Sequence, residues 1–129
     1  MTPQLFWEEA NRTEVRSVEE LDRLVDQLTV EARADMPLTV ELHVGDETAM
    51  SIVVGREESH VEFHSAATHP PIVACHGPWN DDELIEFSHR GQYSELPRRY
   101  FVPIADAREA LRRYFRTGTR PDNIAWSYD

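Results

Sequence analysis

The chain has 129 residues, 40% of them hydrophobic, three Trp and a net charge of −11. That length suits one domain of about 100 to 150 residues with an ordinary core, so residues 1–129 are expected to form one domain, and the apolar content excludes global disorder. All 13 basic residues are Arg, and a nucleic-acid binder needs a basic footprint to displace counterions from phosphate; this chain has the opposite sign, so no nucleic-acid partner is expected.

No apolar run approaches the roughly 20 residues of a membrane span, so no membrane partner is expected. No basic stretch followed by an apolar core opens the chain, which favours a cytoplasmic location. The single cysteine, Cys75, has no partner for an internal disulfide. Residues 1–62 hold 15 acids and 5 Arg; residues 63–129 hold 9 acids and 8 Arg. The acidity is therefore concentrated in the first half. An acidic surface repels nucleic acid and steers basic partners toward it.

In chain order, residues 5–7 and 13–16 read as short opening strands. Ser17 and Glu20 are spaced as a capping box, in which the Ser hydroxyl accepts from the Glu amide and the Glu carboxylate reaches back. Val18, Leu21, Leu24, Val25 and Leu28 follow at three- and four-residue steps, which predicts a helix ending near Arg33. From residue 38 the period changes to two. Residues 38–44 and 50–54 alternate around Gly45-Asp46-Glu47 and predict a hairpin. Residues 60–64 alternate strictly, with Val61 and Phe63 inward. Residues 72–75 and 84–87 predict two further strands.

The stretch 91–126 is the most heavily punctuated. Gly91-Gln92-Tyr93-Ser94-Glu95-Leu96-Pro97 reads as a turn. Pro103 suits a helix entrance. Ala107, Ala110, Leu111, Tyr114 and Phe115 form an apolar stripe, with Arg108, Arg112, Arg113 and Arg116 on the other face. Gly118 sits where a left-handed C-cap is needed and Pro121 blocks continuation. Residues 124–128 predict a closing strand. The fold class expected is α+β: an antiparallel β-meander sheet of about 5–7 strands with two helices packed on one face.

Gly91, Ser94, Glu95, Pro97, Pro103, Asp106, Ala107, Arg108, Ala110, Gly118, Arg120, Pro121 and Trp126 together resemble the Imm1 family of bacterial immunity proteins. The likeness is specific over roughly the last third of the chain and extends more loosely to the helix start at 15–28. It implies a protein that protects a cell from a secreted polymorphic toxin, often a nucleic-acid deaminase.

The catalytic patterns in the chain are incomplete. His60-Val61-Glu62 matches half of the zinc deaminase signature, but the paired thiolates that hold the metal are absent, since Cys75 stands alone. His60, Glu62 and His64 share a strand face, which is the geometry of a metal site, but three ligands on one flat strand need help from elsewhere, so a solvated polar face is the favoured reading. Cys75 and His76, adjacent on a strand, point to opposite faces, so Cys75 reads as a small buried hydrophobe. No Gly-x-Ser-x-Gly, Gly-x-x-x-x-Gly-Lys or Gly-x-Gly-x-x-Gly occurs. Neither an enzyme nor a cofactor is expected.

Three features suit protein binding: Glu57 and Glu58 with Glu62 nearby; Trp79 among Asp81, Asp82 and Glu83; and Tyr93 with Glu95. Aromatics and charged groups able to pair with Arg are the usual anchors of tight interfaces. Trp79 and Tyr93 alternatively pack back on the sheet, and Trp7 and Trp126 are assigned to the core. The leading expectation is an immunity protein that neutralises a basic toxin, one acting on nucleic acid such as a DNA cytosine deaminase, by covering its active site. The alternatives are an acidic interaction module for another basic partner and a small metal-dependent hydrolase.

Overall fold

The computed structural model describes residues 2–127. Two opening strands, β1 (Gln4–Trp7) and β2 (Asn11–Glu14), lead into helix α1 (Val18–Arg33). Its start is capped as the spacing predicts: the Glu20 amide donates to Ser17 Oγ at 3.1 Å. The Glu20 carboxylate reaches back one residue further than a simple capping box, accepting from the Arg16 amide at 3.2 Å. Leu21, Val25, Leu28 and Ala32 form the buried stripe.

The central strands are β3 (Leu38–His43), β4 (Thr48–Val54), the two-residue β5 (Glu58–Ser59), β6 (Val61–Ser65) and β7 (Ile72–His76). The hairpin β8 (Leu84–His89) and β9 (Gln92–Pro97) follows, then a 3-10 turn (Arg98–Tyr100) and the short β10 (Val102–Pro103). Helix α2 (Ile104–Thr117) and strand β11 (Ala125–Ser127) close the chain. The expected strand over 124–128 is β11; Tyr128 lies outside the described residues.

The sheet is mostly antiparallel and the class is α+β, with β11-β7-β6-β4-β3-β1-β2 as its main path. Strands β3, β4, β6 and β7 are a true meander. The β8–β9 hairpin departs from it: β8 runs parallel to β3 through the Leu38 and Ser88 pair, and among the described residues β9 pairs with β8 alone. The sheet is thus larger than the periodicity suggests, with nine strands among the described residues plus a β5–β10 ribbon.

One further difference concerns residues 91–97. Arg90 and Gly91 take positive φ, 52° and 80°, and make the tight turn; the residues after them form β9 rather than a turn. Two consecutive positive-φ residues match the twist of a hairpin, so the bend is finished by Gly91 and Tyr93 is already on a strand.

The helices lie on one face of the sheet. Their stripes meet Leu5, Val40, Leu42, Met50, Ile52, Val61, Phe63, Val73 and Cys75 in one core. Pro103 is the N-cap of α2, one place before the helix begins. Gly118 ends the helix as a left-handed C-cap, φ 71°, its amide bonded to Tyr114 O at 2.7 Å. The Tyr114 side chain is fully buried and spends its hydroxyl on Thr48 Oγ1 at 2.8 Å. A second, smaller core lies under the hairpin, where Val53, Ile85, Phe87 and Phe101 pack with Trp79 and Leu96. Among the described residues no helix is long and apolar enough to cross a membrane.

Candidate functional site

Pairing β8 with β3 brings the loop before β8 and the 3-10 turn beside β5, and with them most of the acids the sequence singles out. Arg98 is the hub. Its guanidinium lies 3.1 Å from the Glu58 carboxylate and 3.2 Å from that of Asp81. It also stacks over Trp79, with its central carbon 4.7 Å from the ring centroid. Glu58, its side chain only 12% exposed, takes a second ion pair from Arg56 at 3.0 Å. Asp82 approaches Arg99 at 3.5 Å. Trp79 is half-buried against the second core. It thus has a packing role and offers only part of its ring to a partner. A stacked guanidinium on an aromatic face adds a further favourable contact.

Glu62 is engaged differently. It sits on β6 between two imidazoles, with His60 Nε2 at 2.8 Å and His64 Nε2 at 3.2 Å. His60 is buried, and its Nδ1 lies 2.6 Å from the Tyr100 carbonyl oxygen. Both ring nitrogens face acceptors, so the ring holds two protons and donates from both sides. Burial pulls its pKa down, but contacts with the Cys75 sulfur and the Glu62 carboxylate outweigh that and push it up to about 10. Hydrogen bonds from His60 and His64 hold Glu62 well below the usual carboxylate range. A doubly protonated His60 has no lone pair for a metal. Among the described residues no group of three or more His, Cys, Asp or Glu is arranged to hold one. Cys75 is buried, its Sγ 3.0 Å from the Tyr100 carbonyl oxygen, while His76 on the opposite face is exposed.

The remaining candidate acids have no basic partner among the described residues. Glu57 is exposed in the turn before β5, and only its carbonyl is used, accepting the Ile104 amide at 2.8 Å. Glu83 is exposed, and its carbonyl takes the Arg98 amide at 2.9 Å. On the hairpin, Ile85 and Phe87 face the second core, so Glu86 faces outward and stands directly across from Glu95. Tyr93 is 60% exposed and donates its hydroxyl to Glu95 at 2.9 Å. That bond and the nearby Glu86 push the phenol above its ordinary range. No ion pair engages Glu57, Glu83, Glu86 or Glu95 among the described residues.

Two of these roles escape a reading of the sequence. Glu86 carries a signal, the alternation over 84–87 that puts it opposite Ile85 and Phe87. Arg98 carries none, because its partners Glu58 and Asp81 lie far from it along the chain.

No curated protein matches this chain. A family model described as Immunity protein Imm1 matches residues 9–128. The match therefore covers every element from β2 to β11, both helices included, well beyond the last third that carries the motifs. Such membership implies immunity against a toxin, and with nearly its full length matched the chain belongs to the Imm1 family of immunity proteins.

Proposed function

We propose that this protein binds and neutralises a cognate secreted toxin whose active-site surface is basic, and that it does so in the cytoplasm without catalysis or a cofactor. A toxin acting on nucleic acid, such as a DNA cytosine deaminase, fits this best. Its substrate groove has to hold phosphates with Arg and Lys, and carboxylates placed over that groove occupy the same positive field. The surface assigned to the toxin comprises Glu57, Glu58, Glu62, Trp79, Asp81, Asp82, Glu83, Tyr93 and Glu95.

The observation that supports this reading is a set of exposed carboxylates with nothing to neutralise them. In a chain of charge −11, Glu57, Glu83 and Glu95 are exposed. Leaving them together costs self-repulsion that a basic partner relieves. Within the assigned surface the weight falls on the β8–β9 hairpin. There a toxin Arg finds a free carboxylate, whereas at Asp81 it has to compete with Arg98. Titration calorimetry against the toxin domain encoded beside this gene tests the reading. Binding tighter than micromolar, with loss of toxin activity on its nucleic acid, is expected; no heat at micromolar concentrations overturns it.

A further inference from the structure

Among the described residues the longest open edge of the sheet is β9. It is six residues long, against four for β2 and three for β11 at the ends of the main path. Among the described residues its strand partner is β8 alone, along the full register from Leu84 and Pro97 to His89 and Gln92. In an antiparallel ladder every second residue points its N–H and C=O away from the partner strand. Such an edge is a template for one more strand. It is also firmly backed: Ile85 and Phe87 anchor the hairpin in the second core, and the Ser88 amide is tied to the Pro37 carbonyl at 2.7 Å.

We propose that the free edge of β9 receives an extended segment of the toxin as an added strand. This rests on the toxin-binding reading above and specifies its geometry. The face flanking the edge selects the occupant. Tyr93 and Glu95 project beside the new strand, with Glu86 one strand behind. A segment with Arg or Lys at alternate positions places each cation against Glu95 or along the exposed Tyr93 ring. A second copy of this chain is disfavoured on the same grounds. It would bring another Glu95 to the edge and another net charge of −11 with no cation to offset either. Main-chain bonds supply the attachment in such an arrangement, and the alternate side chains supply selectivity.

The test is amide hydrogen exchange by NMR on the full chain, alone and with the toxin domain encoded beside its gene. Binding is confirmed in the same sample by calorimetry. The expected result is slowing of tenfold or more at every second amide within β9, the ones pointing away from β8, with β2 and β11 unchanged. Binding without that alternate pattern overturns the added strand and leaves toxin neutralisation standing. Absence of binding overturns both. Tyr93→Pro and Ser94→Pro give a second readout, because adjacent amides point to opposite sides of β9. The variant that loses the outward amide is expected to keep its melting temperature and lose at least tenfold in affinity. If a folded variant of that kind binds as tightly as the parent, the proposal fails.

Discussion

Two acidic regions of this protein look alike as sequence and differ as chemistry. Around Trp79, the carboxylates of Glu58, Asp81 and Asp82 are held by Arg56, Arg98 and Arg99, and the ring itself is a platform for Arg98. On the β8–β9 hairpin, Glu86 and Glu95 face each other with no cation between them. The first region spends its charge on holding the chain together; the second presents it to whatever arrives. Net charge alone does not measure what a partner feels. The lopsidedness along the chain is similarly reduced in space. Asp22 and Asp26 of α1 pair with Arg112 and Arg108 of α2 at 2.8 and 2.6 Å, so the acidic first half is partly neutralised by the second.

Breaking the closed region gives the largest effect. Arg98→Ala leaves Glu58, with its side chain 12% exposed, holding one of its two cations and removes the guanidinium stacked on Trp79. Truncating one partner of a buried charge pair leaves the other uncompensated. The expected cost is about 2–3 kcal/mol, a melting temperature lower by about 7–11 °C for a domain this size. An unchanged melting curve would mean those carboxylates are not spent on the fold. The open region behaves in the opposite way. Glu86→Gln/Glu95→Gln is expected to leave melting unchanged and weaken toxin binding tenfold or more, about 1.4 kcal/mol. Asp81→Asn/Asp82→Asn is expected to cost less than threefold. Equal losses from the two pairs would erase the distinction.

Glu62 sharpens the comparison through pH. His60 has its pKa raised from 6.5 to about 10, so its charged form stabilises the fold fully below the lower value. That contribution is lost as pH rises toward the upper one. Glu62, held low, contributes above its ordinary 4.5 and loses that contribution as acid protonates it in the fold. Chemical denaturation between pH 7 and 10 is therefore expected to show a decline of about 3 kcal/mol. His60→Gln removes that decline. A parent protein as stable at pH 10 as at pH 7 would show that His60 is neutral in the fold.

Much of this frame was legible because it depends on short-range rules. Ser17 and Glu20 announce a helix start at fixed spacing, and Gly118 marks a left-handed C-cap that the structure adopts at φ 71°. The alternation over 60–64 puts Val61 and Phe63 in the core and His60, Glu62 and His64 on the other face. What stayed hidden depends on distant partners. Gly91 and Pro97 bracket residues that read as a turn, yet pairing with β8 makes them a strand. The parallel contact between Leu38 and Ser88 has no local signature. Whether an acid is free or paired is hidden too, since Asp81 and Glu83 flank the same residue, Asp82, and only the Asp81 carboxylate meets the Arg98 guanidinium.

The central claim is that the surplus negative charge draws in a basic toxin. The most direct measurement is the association rate by stopped flow as salt is raised. The Debye length shrinks from about 30 Å at 0.01 M to about 8 Å at 0.15 M. Steered association is expected to slow by about tenfold or more over that range, with the dissociation rate changing far less. An association rate that stays flat with salt would contradict the claim and leave the acidity as a matter of solubility.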